Sequence, residues 1–185
     1  MRILRDYQYA LPEDKGASAA IGNFDGVHLG HQYVIDRARV DGLPLGILTF
    51  EPHPREFFAT GAPPFRLMNA EARGHRLQKL GVDILYELPF NAALSGLSAE
   101  DFARDVLAEG LGLKRVIVGA DFGSDRGTIA RPWHGLSGTD LEIPGPSAAR
   151  RHGARGGHGD GYGYRQAPSD DGHPMHDRRQ ARAAR

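Results

Sequence analysis

Apolar positions in the first 120 residues alternate between two spacings. Ala17–Phe24, Leu43–Phe50, Val82–Tyr86 and Arg115–Gly119 are short, nearly continuous apolar runs, each the length of a strand buried on both faces. Between them the spacing lengthens to that of a helix. His28–Val40 places Leu29, Val34, Ile35 and Ala38 on one side, Asn69–Leu80 forms a second segment, and Ala99–Leu111 a third. Ser98 is a good N-cap for the third, with Asp101 three residues on and Phe102, Val106 and Leu107 facing inward. Strands alternating with helices of about 10–15 residues predict an α/β domain with a parallel sheet. Four strands make a small sheet, which suggests that a further strand is missing.

The pattern stops near residue 130. All eight Phe, all seven Val and all three Lys lie at or before Phe122. Of the 55 residues from 131 to 185, 29 are Gly, Arg, His or Pro, and the aliphatic side chains beyond Ala reduce to Leu136, Leu141, Ile143 and Met175. Such a segment cannot bury enough apolar surface to offset roughly 1–2 kcal/mol per residue of backbone ordering. Residues 1–130 are therefore expected to form the folded domain and 131–185 a disordered tail. Charge divides at the same place. The first part carries 14 basic and 17 acidic side chains and the tail 9 and 6, giving −3 and +3.

The whole chain balances 23 basic against 23 acidic residues, which argues against recruitment to nucleic acid or a membrane surface by bulk charge. It has no cysteine, which excludes disulfides, zinc–thiolate sites and thiol catalysis. Met1–Asp6 lacks the apolar run of a signal peptide, and no stretch approaches the roughly 20 apolar residues of a membrane span. The expected compartment is the cytoplasm.

The densest chemistry lies in Ile21–His31, where the first long strand ends and the first helix begins, the place where open α/β sheets bind ligands. Gly22 and Gly26 allow close approach of backbone to a ligand. The following helix start offers free N–H groups and partial positive charge to phosphate. His28 and His31, three apart, share a helical face and can grip one phosphate group, and Gly30 between them leaves room for a base or ribose. Two histidines so placed suit stabilisation of charge developing in phosphoryl or nucleotidyl transfer. A His-x-x-His pair can also hold a metal, although the motif shows no third ligand. A purely structural strand–turn–helix junction would use the same glycines. The string is not the G-x-G-x-x-G of a dinucleotide loop.

Gly22-Asn23-Phe24-Asp25-Gly26-Val27-His28-Leu29-Gly30-His31-Gln32 resembles the His-x-Gly-His signature of the nucleotidyltransferases, in the longer form found in bacterial FAD synthetases, the FMN adenylyltransferase half of bifunctional riboflavin kinase/FMN adenylyltransferase. Thr49–Phe58, Pro64–Leu67, Gly81–Asp83, Leu97–Phe102 and Val118–Phe122 agree in order and spacing, so the resemblance covers about residues 15–122. It implies a Rossmann-like parallel sheet of the His-x-Gly-His type and transfer of AMP from ATP to FMN, giving FAD and pyrophosphate with Mg²⁺. By position, Asn23, His28 and His31 would hold the ATP phosphates and stabilise the transition state, with His28 and His31 as the catalytic pair. Gly22, Phe24, Asp25, Gly26 and Gly30 would shape the nucleotide pocket. His53 and Pro54 would line the flavin or phosphate side, and Asp121 would sit near ATP and the metal. On their own, an Asp at a strand end reads as readily as a cap, and His53 between prolines equally as a rigid loop residue.

After Phe122 the chain departs from the family. It reads Gly123-Ser124-Asp125-Arg126-Gly127, and the family's next strand and its Ser/Thr–Arg phosphate-holding motif have no counterpart. The tail is too polar for a riboflavin kinase module. The abrupt change suggests a shifted reading frame, with an evolved linker as the competing explanation. Two hypotheses follow: an FMN adenylyltransferase, or an inactive remnant with residual nucleotide or flavin binding. Loss of a terminal strand is expected to leave Val116–Val118 at an open sheet edge.

Overall fold

The structure, a computed structural model, describes residues 1–59, 66–119, 140–142 and 165–166. All four expected strands are present, as β2 (Ser18–Ile21), β3 (Leu45–Glu51), β4 (Ile84–Pro89) and β5 (Arg115–Val118). A fifth parallel strand, not read from the sequence, is β1 (Arg2–Leu4), which pairs with β4 and sets Arg2 opposite Ile84. Three residues, two of them exposed, carry too little pattern to be read as a strand. The parallel sheet therefore has five strands in the order β1-β4-β3-β2-β5. Two short strands, β6 (Asp140–Glu142) and β7 (Arg165–Gln166), extend it as antiparallel neighbours of β5 and of each other.

Alternation along each strand sorts the core into two layers. Ala19 and Ile21 of β2, Leu48 and Phe50 of β3, and Tyr86 and Leu88 of β4 face the helix that carries Phe102, Val106 and Leu107. The intervening Ala20, Ile47 and Leu85 face Ile35 and Ala38 at the first helix and Leu77 of the helix over Ala70–Lys79. Helices on both faces are the reason these strands read as continuous apolar runs.

Three longer helical segments carry these layers. Helix α1 spans Leu29–Arg37, shorter at both ends than its spacing predicts, and Leu29 is 81% exposed rather than inward. Helix α2 is the short Pro54–Phe58, and α3 is Ala70–Lys79, capped by the Asn69 side chain accepting from the Ala72 N–H at 2.8 Å. After the single turn α4 (Ala92–Ser95), α5 (Ala99–Asp101) is capped by Ser98 as expected. It continues as a π-type helix over Phe102–Gly110, with the Leu111 N–H reaching back five residues to the Val106 carbonyl. That wider turn keeps Phe102, Val106, Leu107 and Leu111 all buried on one side. No helix among the described residues is long and apolar enough to cross a membrane.

The expectation of an open edge at β5 is corrected by β6. Arg115, Val116 and Ile117 pair with Glu142, Leu141 and Asp140, and the Arg115 guanidinium donates to the Asp140 carboxylate, with Nε at 2.8 Å.

Candidate active site

Strand β2 ends at Ile21, and its neighbour β3 holds the chain just beyond through a bond from the Gly22 N–H to the Leu48 carbonyl at 3.1 Å. The next six residues form a tight turn. Phe24, Gly26 and Val27 all have positive φ, at 51°, 77° and 42°. For a β-branched residue this is a strained conformation, and non-glycine residues in it cost about 1–3 kcal/mol each. Burial holds them there, since Phe24 and Val27 are each 1% exposed in the layer between the sheet and α1. The φ of 77° is what calls for glycine at Gly26, since a side chain there is strained whatever the space; a Cβ would also lie 2.9 Å from the end of the exposed Leu67 side chain. The Thr49 hydroxyl of β3 donates to the Asn23 carbonyl at 3.3 Å and steadies the first half of the turn.

The turn delivers His28 as the N-cap of α1. Its Nδ1 accepts from the His31 N–H at 3.4 Å, which leaves the N–H groups of Leu29 and Gly30 at the helix start for a ligand. The two imidazoles stack, with centroids 3.7 Å apart and planes inclined by 21°. Phe24 closes against His31 with ring centroids at 5.2 Å. Burial first, then the adjacent His28 ring, lower the His31 pKa to about 4, against a smaller opposing pull from Asp25. His31 is thus a neutral imidazole at pH 7. Its Nδ1 and the Asn23 side-chain oxygen are both buried with no hydrogen-bond partner, and both lie in this turn. A buried polar atom without a partner is costly and calls for one. A histidine pair at an open helix N-terminus, with His31 neutral and its unpartnered Nδ1 able to carry a proton to donate, is built to receive an anion.

Other expected residues take different places. Phe24 is core, and reaches the site through the His31 ring and through Gly22, where a Cβ would lie 3.3 Å from the Phe24 ring. Gly30 sits against His28, with room for a Cβ only at 3.2 Å from the imidazole. Asp25 turns to the chain ahead of α3 and accepts the Leu67 and Met68 N–H groups. His53 and Pro54 begin α2 directly after β3, one strand over from the histidine turn at the same end of the sheet. His53 is buried, and its Nδ1 accepts from the Arg55 N–H at 3.0 Å, so in this position it also serves as the helix cap. Asp121 lies outside the described residues.

The donor set for Mg²⁺ can be tested on the described residues. The carboxylate in the turn, that of Asp25, is committed to backbone N–H groups, and no group of three His, Asp or Glu side chains able to hold a metal occurs among the described residues. These residues do not by themselves fit a Mg²⁺ site.

Comparison with known proteins decides the family. The family model for FAD synthetase matches residues 10–130, well over half the chain. The chain belongs to the FAD synthetase family. Among curated relatives, the bifunctional riboflavin kinase/FMN adenylyltransferase of Pseudomonas fluorescens is 42% identical over 132 residues, covering 68% of this chain and 42% of that protein. The protein of the same description from Escherichia coli K12 is 34% identical over 127 residues, covering 66% and 41%. The chain thus spans about two-fifths of the length of these relatives. A solved structure described as a macrolide-efflux protein from Streptococcus pneumoniae superposes with a TM-score of 0.54 at 28% identity, over 69% of this chain and 45% of that one.

Within the family domain, sequence reasoning missed a charged network at the carboxyl ends of β3 and β4. Arg66 donates to Glu51 at 2.8 Å and to Glu56 at 2.7 Å, and Arg73, 2% exposed, donates to Glu51 at 3.0 Å and Glu87 at 3.1 Å. Arg5, just after β1, closes it on Glu87 at 3.0 Å. Bonds to Arg66 and Arg73 lower the Glu51 pKa, outweighing its own burial. Glu51 and Arg66 stand in motif-like segments of the sequence, but nothing local pairs them. The partners meet only in the fold, with Glu51 and Glu87 on adjacent strands, Arg73 on α3 and Arg66 just ahead of that helix.

Proposed function

We propose that this chain binds ATP at the Gly22–His31 turn and transfers its adenylyl group to FMN, forming FAD and pyrophosphate. The observation that carries the reading is the stacked pair of His28 and His31 at the open N-terminus of α1, with His31 held neutral. Membership of the FAD synthetase family supports the flavin half of it.

In this reading the triphosphate lies over the carboxyl ends of β2 and β5, against the N–H groups of Leu29 and Gly30. Gly22 and Gly26 let it approach the backbone, and the Asn23 amide and the two imidazoles supply hydrogen bonds to its oxygens. A terminal phosphate oxygen of FMN attacks the α-phosphorus, the bond from that phosphorus to the bridging oxygen breaks, and pyrophosphate leaves with the electron pair. Charge grows on the oxygens around phosphorus in that step. His28 and His31 are catalytic because they meet those oxygens without needing to reorganise. Mg²⁺ would supply charge neutralisation on the phosphates, with Asp121 the candidate carboxylate, and a nucleotide-bound Mg²⁺ needs few protein ligands. His53 and Pro54, one strand over, take the flavin side. We take residues 1–130 as the working domain and the cytoplasm, where ATP and FMN would be met, as its compartment.

The test is to incubate the purified chain with ATP, FMN and Mg²⁺ and to follow FAD formation by chromatography. FAD should form with equimolar pyrophosphate but slowly, because the family's Ser/Thr–Arg phosphate-holding motif has no counterpart in the sequence, and His28→Ala should lower that turnover further by about 10²–10³ while changing ATP affinity little. ATP or FMN binding without any FAD would leave a non-catalytic nucleotide-binding domain instead.

A further inference from the structure

Asp25 sits in the middle of the histidine turn, yet its carboxylate faces away from α1. Oδ1 accepts the Leu67 N–H at 3.0 Å and the Met68 N–H at 3.1 Å, and Oδ2 also lies 3.0 Å from the Leu67 nitrogen. The Leu67 side chain, 78% exposed, lies so close over Gly26 that a Cβ there would meet it at 2.9 Å. The residue before it, Arg66, donates to the Glu56 carboxylate at 2.7 Å, and the same Glu56 oxygen accepts the His53 N–H at 3.2 Å. A continuous series of polar contacts therefore leads from the turn that holds the histidine pair to the start of α2. Its first link is a carboxylate accepting two backbone N–H groups, a strong charge-assisted arrangement.

We propose that Asp25 is a positioning residue for the acceptor side of the site: it fixes the Arg66–Met68 segment, and through Arg66 and Glu56 the His53 end of α2, at a set distance from the histidine turn. The inference rests on the adenylyl-transfer reading for the identity of the acceptor, FMN. Asp25 does not contact the nucleotide in this account. Its removal changes where the flavin phosphate is presented, while the turn itself stays held by the burial of Phe24 and Val27 and by Thr49.

The test uses the full chain and two substitutions. Asp25→Asn keeps one acceptor oxygen without the charge, and Asp25→Ala removes both. ATP and FMN affinities are measured separately by calorimetry, and hydrogen exchange is followed at Leu67 and Met68. FMN affinity should fall about fivefold in Asp25→Asn and about twentyfold or more in Asp25→Ala, and in each variant the loss of FMN affinity should exceed any change in ATP affinity at least threefold. Exchange at the two amides should quicken in the same order. If Asp25→Ala does not fold, the asparagine variant decides alone. Equal losses for ATP and FMN, or unchanged FMN affinity and exchange, would overturn the proposal. A wild-type chain that binds ATP but no FMN would overturn the acceptor reading and this inference with it, and is distinguished by the wild-type titration alone.

Discussion

His31 shows how one side chain links packing to chemistry. Its ring is pressed between His28 and Phe24, and the resulting pKa of about 4 keeps it uncharged where a free histidine would be partly protonated. The unfolded chain binds a proton at this residue below about pH 6.5, and the folded chain only near 4. Between those values the unfolded state holds more protons, so stability rises with pH, and this contribution is lost as pH falls from 6.5 through 4. Urea unfolding of wild type and His31→Gln between pH 4 and 7.5 should show a steeper dependence for wild type. Parallel curves would mean that the imidazole is not desolvated as the packing indicates. The two histidines were legible in the sequence because they and their glycines are contiguous. The role of Asp25 was not, because its partners lie 42 and 43 residues further on and are backbone groups, which leave no mark in residue types.

At the scale of elements, the sequence showed the four central strands and most of the three longer helices because burial imposes a strong apolar pattern, while the short α2 and α4 left none. It erred where the pattern is short or one turn too generous, as at β1 and at the exposed Leu29. The start of α1 is where element and site depend on one another. Gly30 is a poor helix former, and replacing it with Ala would by propensity alone gain up to about 1 kcal/mol, less so close to the helix end. A Cβ there would meet the His28 ring at 3.2 Å, so the ring must give way slightly, and that shift alters its 3.7 Å stack on His31. Gly30→Ala should therefore leave the melting temperature unchanged or slightly raised, while lowering adenylyl transfer about tenfold or more. Thermal unfolding and turnover measured on the same preparation check the pair. Activity at the wild-type level would show that the position of His28 is not critical to the chemistry.

For the whole molecule, the outer edge of β5 is the point at which residues beyond 130 enter the fold. An unpaired edge carrying Val116, Ile117 and Val118 would be a template for association with other chains. Residues 131–185 gave no sign of an element in the sequence, because a three-residue strand with one aliphatic side chain has no period to detect. What identifies β6 is a specific contact. The Asp140 carboxylate takes two bonds from the Arg115 guanidinium, and Arg37 at the end of α1 lies 3.8 Å away. This clamps strand, sheet edge and helix at one carboxylate, only partly open to solvent, so it should be worth more than an exposed ion pair. Asp140→Ala should cost about 1–3 kcal/mol and, by releasing β6, increase light scattering on concentration. Asp140→Asn, which keeps one acceptor oxygen, should cost less on both counts. The comparison is made by urea midpoints and by scattering at rising protein concentration. An alanine variant as stable and as monodisperse as wild type would show that β6 contributes nothing to covering β5.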